Sequence, residues 1–404
     1  MSDDQIDTSI VTPVKSPGFL AGLLGSPAVL GLAGRLGARF IGKPVRLGQR
    51  VVAARHADVR ELLERDLDFG IAAVNAGKIE EVNGGPFILG MDRSATLERE
   101  RRALYAGLAA VDLAALRREA EAGIDQRLEA VEPGRAIDAV GDYARPIAAR
   151  TAQLLFGIRG PDDRTFMEVV RSIFGHTFLN LGDDAEAQAR GIKAGRLMQE
   201  WLAAEIVHRR GAADFGEDLM GALMRQGELD DDGVRRTLGG MLVGSVDTTA
   251  TCVAKILTVM RRRPELLHDM RRDAGDVDRL YGWCLEALRV WPHNPIVMRE
   301  ATGDTSLGGV AIKAGQRVIA FTQAAMLDAS VFAEPQRLRP DRDRSAYLHF
   351  GGGLHPCAGR PVNRFQIPLL LAGLLRRGLG GIGRIEWAGG FPHRLDVTLG
   401  GKAG

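Results

Sequence analysis

Residues 350–359 read Phe-Gly-Gly-Gly-Leu-His-Pro-Cys-Ala-Gly, a glycine-rich loop that leads a lone cysteine onto an apolar helix predicted to begin near Ala358. Glycines let the backbone turn tightly and approach a flat cofactor without side-chain clashes. The N-terminus of the following helix offers amide donors and the positive end of a helix dipole. A cysteine placed there is expected to favour its thiolate form.

Two other interpretations of this loop stay open on the residues alone. In the first, Cys357 is an inert core cysteine beside a glycine turn, since free cysteines are commonly buried. In the second, His349, His355 and Cys357 bind zinc. Structural zinc sites use four ligands at short paired spacings, and no fourth ligand lies nearby in the sequence, so zinc is disfavoured.

A second feature is a long apolar segment, residues 238–260, that is interrupted by Gly-Ser-Val-Asp-Thr-Thr at residues 244–249. Gly, Ser and Thr are poor residues for a helix interior, so their presence inside a buried helix favours a functional interpretation. The Thr248 hydroxyl can bond back to the carbonyl of Gly244 and bend the helix. Packing of the helix by small residues is the alternative.

A third feature is the pair Glu286 and Arg289, which lie three residues apart within the mainly apolar run from Tyr281 to Trp291. This spacing puts an acid and a base on one helix face, where they can pair.

These motifs, in this order, resemble those of the cytochrome P450 family. The family's cysteine signature is Phe, a small residue, any residue, Gly, any residue, His or Arg, any residue, Cys, any residue, Gly, and residues 350–359 comply at every position. The resemblance runs from about residue 90 to the C-terminus. It implies a mainly α fold with small β-sheets, the triangular cytochrome P450 fold.

The resemblance implies haem b (iron protoporphyrin IX) as the cofactor and Cys357 as the axial ligand of its iron. A thiolate ligand donates electron density to haem iron and favours cleavage of the oxygen–oxygen bond. The haem propionates need positive partners, and Leu97 stands where the family often has a histidine for this purpose. The expected cofactor-binding residues are Arg101, Arg299, Phe350, Gly351, Gly353, His355, Cys357 and Gly359.

The resemblance also assigns roles to the other two motifs. Glu286 and Arg289 match a buried pair that locks a loop near the haem, an architectural role. Asp247 and Thr248 match the acid–alcohol pair that delivers protons during oxygen activation, a relay that needs a hydroxyl and a titratable group. Ser245 replaces a usual glycine, which is expected to narrow the oxygen pocket or add a hydroxyl to it. The expected substrate-contacting residues are Phe87, Ile88, Val243, Gly244, Ile296, Val297 and Phe391.

The expected activity is that of a monooxygenase that hydroxylates or epoxidises a hydrophobic small molecule with O2. No flavin or iron–sulfur motif is present, so electrons are expected from a separate ferredoxin and ferredoxin reductase. A basic face that could attract such a partner is predicted around the cysteine loop and consists of Arg339, Arg342, Arg344, Arg360 and Arg364. An equal alternative is that these arginines are scattered and simply solvated. Other open alternatives are peroxide-driven or non-oxygenase chemistry on the same fold, and a non-catalytic haem-binding sensor.

Composition limits the remaining classes of function. The 53 Lys and Arg residues nearly balance the 51 Asp and Glu residues, which disfavours nucleic acid as a partner. The three cysteines form no disulfide framework and suit a reducing cytoplasm. The apolar stretch from Phe19 to Gly34 is too short to span a membrane, so we expect a soluble chain without an anchor.

The organisation along the chain indicates one domain over residues 1–404, in which residues 1–40 form an N-terminal segment. Helical periodicity dominates from about Ala95 to Met270. Strands are predicted at residues 44–53, 305–312, 317–321 and 394–399. Residues 378–383 match a GxGxxG pattern, but they follow a helix, so a helix end and turn is predicted instead of a nucleotide-binding loop.

Overall fold

The computed structural model describes residues 42–158, 160–180, 182–388 and 390–400, together with Gly34 and Gly37. Apart from those two glycines, the N-terminal segment lies outside the described residues. The apolar stretch from Phe19 to Gly34 therefore lies outside them as well, except for its last residue.

Helices make up most of the described chain. Fourteen α-helices lie within the described ranges: α1 His56–Glu64, α2 Ala72–Asn83, α3 Ala95–Ala110, α4 Leu113–Glu129, α5 Arg145–Phe156, α6 Asp163–Phe174, α7 Ala185–Ala212, α8 Leu219–Gln226, α9 Asp231–Val243, α10 Asp247–Arg262, α11 Pro264–Arg272, α12 Val277–Val290, α13 Thr322–Ala325 and α14 Arg360–Arg376. Two π-helical turns, Ala139–Ala144 and Gly175–Leu179, adjoin α5 and α6. The predicted mainly α fold is confirmed.

Twelve short strands in the described ranges form four small sheets. They are β1 Val45–Leu47, β2 Arg50–Ala53, β3 Phe69–Gly70, β4 Ala136–Asp138, β5 Val297–Ala301, β6 Thr305–Leu307, β7 Val310–Ile312, β8 Arg317–Ala320, β9 Leu379–Ile382, β10 Glu386–Ala388, β11 Phe391–Arg394 and β12 Asp396–Leu399. The largest sheet has the order β1-β2-β8-β5-β3, and only its β2–β8 pair is parallel. The other sheets are β4-β12-β9, β10-β11 and β6-β7.

Aspartate side chains start many of the helices. An aspartate at the N-cap accepts backbone N–H groups of the first turn that have no partner within the helix. Asp162, Asp230 and Asp276 do this for α6, α9 and α12. Pro264 occupies the first turn of α11, where its missing N–H costs nothing.

The core separates into a large helical cluster, a smaller cluster beside the five-stranded sheet, and a third cluster formed by Ala54, Phe321 and Ala324. Helices α9, α10, α12 and α14 contribute many of the fully buried side chains of the large cluster. The smaller cluster joins α1 to β2, β5 and β8. The segment Asp231–Arg262 is long and apolar enough to cross a membrane by length and composition, with a mean hydropathy of 1.3, but 78% of its most apolar window is buried inside the fold.

The sequence pattern predicted the helices better than the strands. The helix after the cysteine begins at Arg360, two residues later than predicted. Residues 378–383 do not form only a helix end and turn, because residues 379–382 make strand β9 and pair with β12. Strands such as β3 and β4 have two or three residues, too few to show an alternating pattern.

Candidate active site

The cysteine loop is shaped by its glycines and by one backbone hydrogen bond. The Cys357 amide donates to the Phe350 carbonyl at 2.8 Å, which closes the loop. Gly351 and Gly353 have φ of 65° and 63°, a left-handed conformation that favours glycine. A Cβ at Gly353 would lie 1.9 Å from the Leu63 carbonyl oxygen, so this position excludes every other residue type without a backbone shift.

Cys357 is exposed as a residue, yet protein surrounds most of its thiol. Burial raises the pKa of the Cys357 thiol, and hydrogen bonds from the Gly359 and Arg360 amides oppose that rise without cancelling it. The amide hydrogen bonds act in the direction that the sequence predicted, and the thiolate form of Cys357 stays a prediction. Amide donors aimed at the sulfur still suit a thiolate that is stabilised by a bound metal ion.

The histidines near the cysteine do not form a zinc site with it. His349 Nε2 lies 2.9 Å from the Leu285 carbonyl, and His355 Nε2 lies 2.8 Å from the Met91 carbonyl. Within residues 42–400 as described, no group of three or more His, Cys, Asp or Glu side chains is arranged to hold a metal ion.

The apolar segment is broken as the sequence predicted. Helix α9 ends at Val243 and α10 begins at Asp247, and the Thr248 hydroxyl donates to the Gly244 carbonyl at 2.5 Å. Gly244 is exposed, and a Cβ placed there would meet nothing within 4 Å. The Ser245 hydroxyl donates to the Leu242 carbonyl at 2.7 Å. Open space therefore adjoins the break, inside a segment that is otherwise core.

Helix α10 is tied to the helix that follows the cysteine loop. The Thr249 hydroxyl lies 3.4 Å from Gln366 Oε1 of α14. The Cys252 thiol lies one turn after Thr248; burial raises its pKa to about 12, and the neighbouring Cys357 adds to that rise. The break and the cysteine loop thus belong to one region of the molecule.

Asp247 does not share the environment of Thr248. Its carboxylate is 2% exposed and accepts from Arg171 Nε at 3.0 Å and Nη2 at 2.5 Å, while Arg145 Nε lies 3.1 Å away. Asp247 Oδ2 is buried with no hydrogen-bond partner among the described residues. The acid of the expected acid–alcohol pair is therefore held in a cluster with two arginines. Its part in proton delivery stays a prediction.

Glu286 and Arg289 form a fully buried ion pair. Arg289 Nε and Nη2 donate to the two carboxylate oxygens at 2.7 and 2.9 Å, and both side chains are 0% exposed. Glu286 also accepts from the Arg339 amide, the Arg342 guanidinium and the Tyr347 hydroxyl. Arg289 Nη1 donates to the Met326 and Pro335 carbonyls. The pair thereby fastens residues 326–347, the stretch that precedes the cysteine loop.

Two of the three predicted propionate partners, Arg101 and Arg299, are cations without acidic partners among the described residues. Arg299 is 4% exposed, its guanidinium donates only to the Met298 carbonyl, and burial lowers its pKa to about 10. Arg101 Nε is buried without a hydrogen-bond partner, and its guanidinium lies 5.0 Å from the Tyr105 ring. In the described ranges neither arginine forms an ion pair. Burial lowers the pKa of His355, and the Met91 carbonyl opposes this.

The predicted substrate-contacting residues fall into two groups. Phe87, Ile88, Val243 and Phe391 belong to the large helical cluster. Ile296 and Val297 instead pack at the edges of the smaller clusters beside the five-stranded sheet. Phe87 packs so tightly on α9 that a Cβ at Gly240 would overlap its ring.

Sequence reasoning missed residues whose partners are distant in the chain. Arg145 and Arg171 reach Asp247 from α5 and α6, and Tyr347 reaches Glu286 across 61 positions. No local spacing signals such contacts. The predicted basic face also needs correction, because the Arg342 side chain is 10% exposed and donates to Glu286.

Comparison with known proteins identifies related sequences and structures. The family model described as Cytochrome P450 matches residues 199–377. Cytochrome P450-SU2 of Streptomyces griseolus is 30% identical over 334 residues, which cover 81% of this chain and 79% of that protein. Mycinamicin IV hydroxylase/epoxidase of Micromonospora griseorubida is 28% identical over 279 residues, or 66% and 67% of the two chains. The crystal structure of CalO2 superposes with a TM-score of 0.79 at 23% identity, covering 96% and 100%.

The chain belongs to the cytochrome P450 family. It is a cytochrome P450 monooxygenase, an oxidoreductase whose cofactor is haem b.

The residues present fit that cofactor. Cys357 offers a thiol that accepts amide hydrogen bonds, as a thiolate ligand requires. Arg101 and Arg299 are two guanidinium groups without acidic partners among the described residues, which suits a cofactor with two carboxylates. The open space at Gly244 leaves room for the cofactor on the side of the broken helix.

Proposed function

We propose that the protein inserts one oxygen atom into a C–H or C=C bond of a hydrophobic small molecule, with Cys357 as the iron ligand. When bound, thiolate-ligated haem supplies the activation of O2, one atom of which enters the product while the other leaves as water. The exposed Cys357, held in its glycine loop by the Phe350 carbonyl, is the observation that carries this proposal.

The protein side of this reaction is binding, orientation and proton delivery. Arg101 and Arg299 would hold the propionates by charge, because a buried charge is costly unless it is paired, and His355 would add a hydrogen bond. Thr248 holds its hydroxyl at the open space beside Gly244, where it can pass a proton. The apolar candidates around Phe87, Val243 and Phe391 would exclude water and bind an apolar substrate.

The electron donor we infer is a ferredoxin with its reductase, acting in the cytoplasm. The chain carries no flavin or iron–sulfur motif of its own, and its cysteines are free. Exposed arginines near the cysteine loop, Arg360 and Arg364 among them, would attract an acidic protein.

The first experiment is a carbon monoxide difference spectrum of the dithionite-reduced protein, with Cys357→Ala as the control. A strongly red-shifted Soret band that the control lacks is the expected result. A protein without haem, or a histidine-type band that Cys357→Ala leaves unchanged, would mean that Cys357 is structural and would overturn the proposal.

A further inference from the structure

His293 is an imidazole whose two ring nitrogens are buried and have no hydrogen-bond partner among the described residues. An unpaired buried donor or acceptor destabilises a fold, and such a group in a native protein often marks a binding or catalytic role. His293 lies between α12 and β5, three residues before Ile296 and four before Val297.

The ring of His293 lies against an aromatic group contributed by three other elements. Its centroid is 6.1 Å from that of Phe174, which lies 5.0 Å from Phe178 and 5.6 Å from Phe391. Phe391 is one of the predicted substrate contacts. The imidazole therefore brings one donor and one acceptor to a group of aromatic rings, whose charged neighbour is the Arg171 guanidinium, 5.1 Å from the Phe391 ring.

The backbone that carries His293 is fixed by Lys255 of α10. Lys255 Nζ donates to the Pro292 carbonyl at 2.6 Å and to the His293 carbonyl at 3.2 Å, and it lies 5.5 Å from the Trp291 ring. Lys255 is 7% exposed, so these contacts are shielded from water. These contacts fix the backbone that carries the ring, which limits the conformational freedom that would be lost when a ligand binds.

The electrostatic surroundings decide which ligand groups His293 can recognise. Burial, reinforced by the charge of Lys255, lowers the pKa of His293 to about 3, so the ring is neutral near pH 7. A neutral imidazole donates to a carbonyl oxygen or accepts from a hydroxyl, but it supplies no charge to balance a buried carboxylate. An uncharged oxygen substituent is therefore the best match.

We propose that His293 is a specificity-determining residue that hydrogen-bonds a hydroxyl or carbonyl oxygen on an otherwise hydrophobic substrate. This inference rests on the proposed function, because it concerns the same pocket. It narrows the substrate class from hydrophobic compounds in general to oxygenated, uncharged ones.

Three probes of matched size test the proposal: cyclododecane, cyclododecanol and cyclododecanone. Their dissociation constants are measured from the change in haem absorbance of the holoenzyme. The wild type is expected to bind at least one oxygenated probe about tenfold more tightly than the hydrocarbon, the gain from one buried hydrogen bond.

His293→Phe is expected to abolish that preference, and His293→Gln is expected to keep part of it. In the control, Phe174→Leu, all three affinities fall together and the preference remains.

Two results would overturn the role of His293 in binding. One is a wild type that binds the three probes equally or binds none of them. The other is a preference that survives in His293→Phe. The carbon monoxide spectrum distinguishes failure of the His293 assignment from failure of the proposed function. A wild type with the normal thiolate band but no preference among the probes contradicts only the assignment of His293.

Thermal unfolding of the ligand-free holoenzyme gives a second test that needs no ligand. Because the ring nitrogens are unpaired, His293→Phe is expected to leave the Tm unchanged or raise it. A fall of the Tm in both His293→Phe and His293→Gln would show that the ring has a structural partner, such as a buried water molecule, and would contradict the proposal.

Discussion

Two adjacent residues at the start of α10 have different surroundings. Successive residues of an α-helix point about 100° apart, so Asp247 and Thr248 face different neighbours. Asp247 lies against Arg145 and Arg171, whereas Thr248 bonds to Gly244 beside open space. Proton transfer between them would need either an intervening water molecule or a change in the arginine contacts.

Thr248→Ala is expected to uncouple electron consumption from product formation. The hydroxyl at the open space is lost, and general acid–base groups contribute about 10²–10⁴-fold to rates, so product per electron should fall by at least about tenfold. Thr248→Ser keeps the hydroxyl and should retain most of the coupling. The measurement is product formed per NAD(P)H consumed with a reconstituted ferredoxin system. Full coupling in Thr248→Ala would favour the peroxide-driven or non-oxygenase alternative.

At the scale of elements, one ion pair connects α12 to the loop that precedes the cysteine. Glu286 receives hydrogen bonds from Arg289, Arg339 and Tyr347, so every carboxylate oxygen is satisfied without water. Removing one member of a fully buried pair leaves an uncompensated charge, which typically costs about 3–5 kcal/mol.

Glu286→Gln is therefore expected to lower the free energy of unfolding by about 3 kcal/mol or more and to reduce haem retention. Asp269→Asn is a matched control, because Asp269 and Arg272 have the same spacing in a helix but are 32% and 56% exposed. An exposed pair contributes about 0–1 kcal/mol, so this change should have little effect. Chemical denaturation measures the free energy of unfolding of each variant, and the haem content of the purified variants measures haem retention. Equal effects of the two changes would contradict the prediction.

The same pair should contribute to acid sensitivity. Burial of Glu286 raises its pKa, but the hydrogen bonds and charge of Arg289, with Tyr347, outweigh burial and leave the pKa below its usual value. Stability from this group is complete above the unfolded-state pKa of about 4.3 and is lost as the pH falls through the lower folded-state value. Glu286→Gln removes this part of the pH dependence.

The elements that sequence predicted well are those with long local patterns. Repeated apolar spacing identified helices such as α4, and poor helix formers located the break before Asp247. The cysteine loop followed from residue types alone. The arginine cluster around Asp247 and the unpaired ring of His293 depend on how distant elements pack, so no local spacing could predict them.

At the scale of the whole molecule, a net charge of +2 hides an uneven distribution of arginines. Of the five arginines expected around the cysteine loop, Arg339 pairs with Glu334, and Arg344 and Arg364 both pair with Asp278. Arg360 is exposed and has no ion pair among the described residues, and its guanidinium lies 5.9 Å from the Phe350 ring. Cavities of about 570 and 440 Å³ lie nearby, lined in part by Arg101 and Arg364 respectively. Within this group of five arginines, Arg360 is therefore the exposed charge that no carboxylate of the described residues balances.

Replacing Arg360 and Arg364 with glutamine is expected to slow reduction by a ferredoxin by roughly two- to tenfold at low salt and to weaken its salt dependence, because fewer charges steer the encounter. Arg225→Gln with Arg394→Gln is the control: these exposed arginines lie in α8 and β11 and, like Arg364, pair with carboxylates. The control removes the same total charge and should leave the rate near that of the wild type. Stopped-flow reduction at several ionic strengths provides the measurement.

Identical kinetics in both double variants would show that net charge, and not this face, governs the encounter. If the variant that lacks Arg360 and Arg364 were reduced at the wild-type rate at every ionic strength, electrostatic steering by these two arginines would be ruled out.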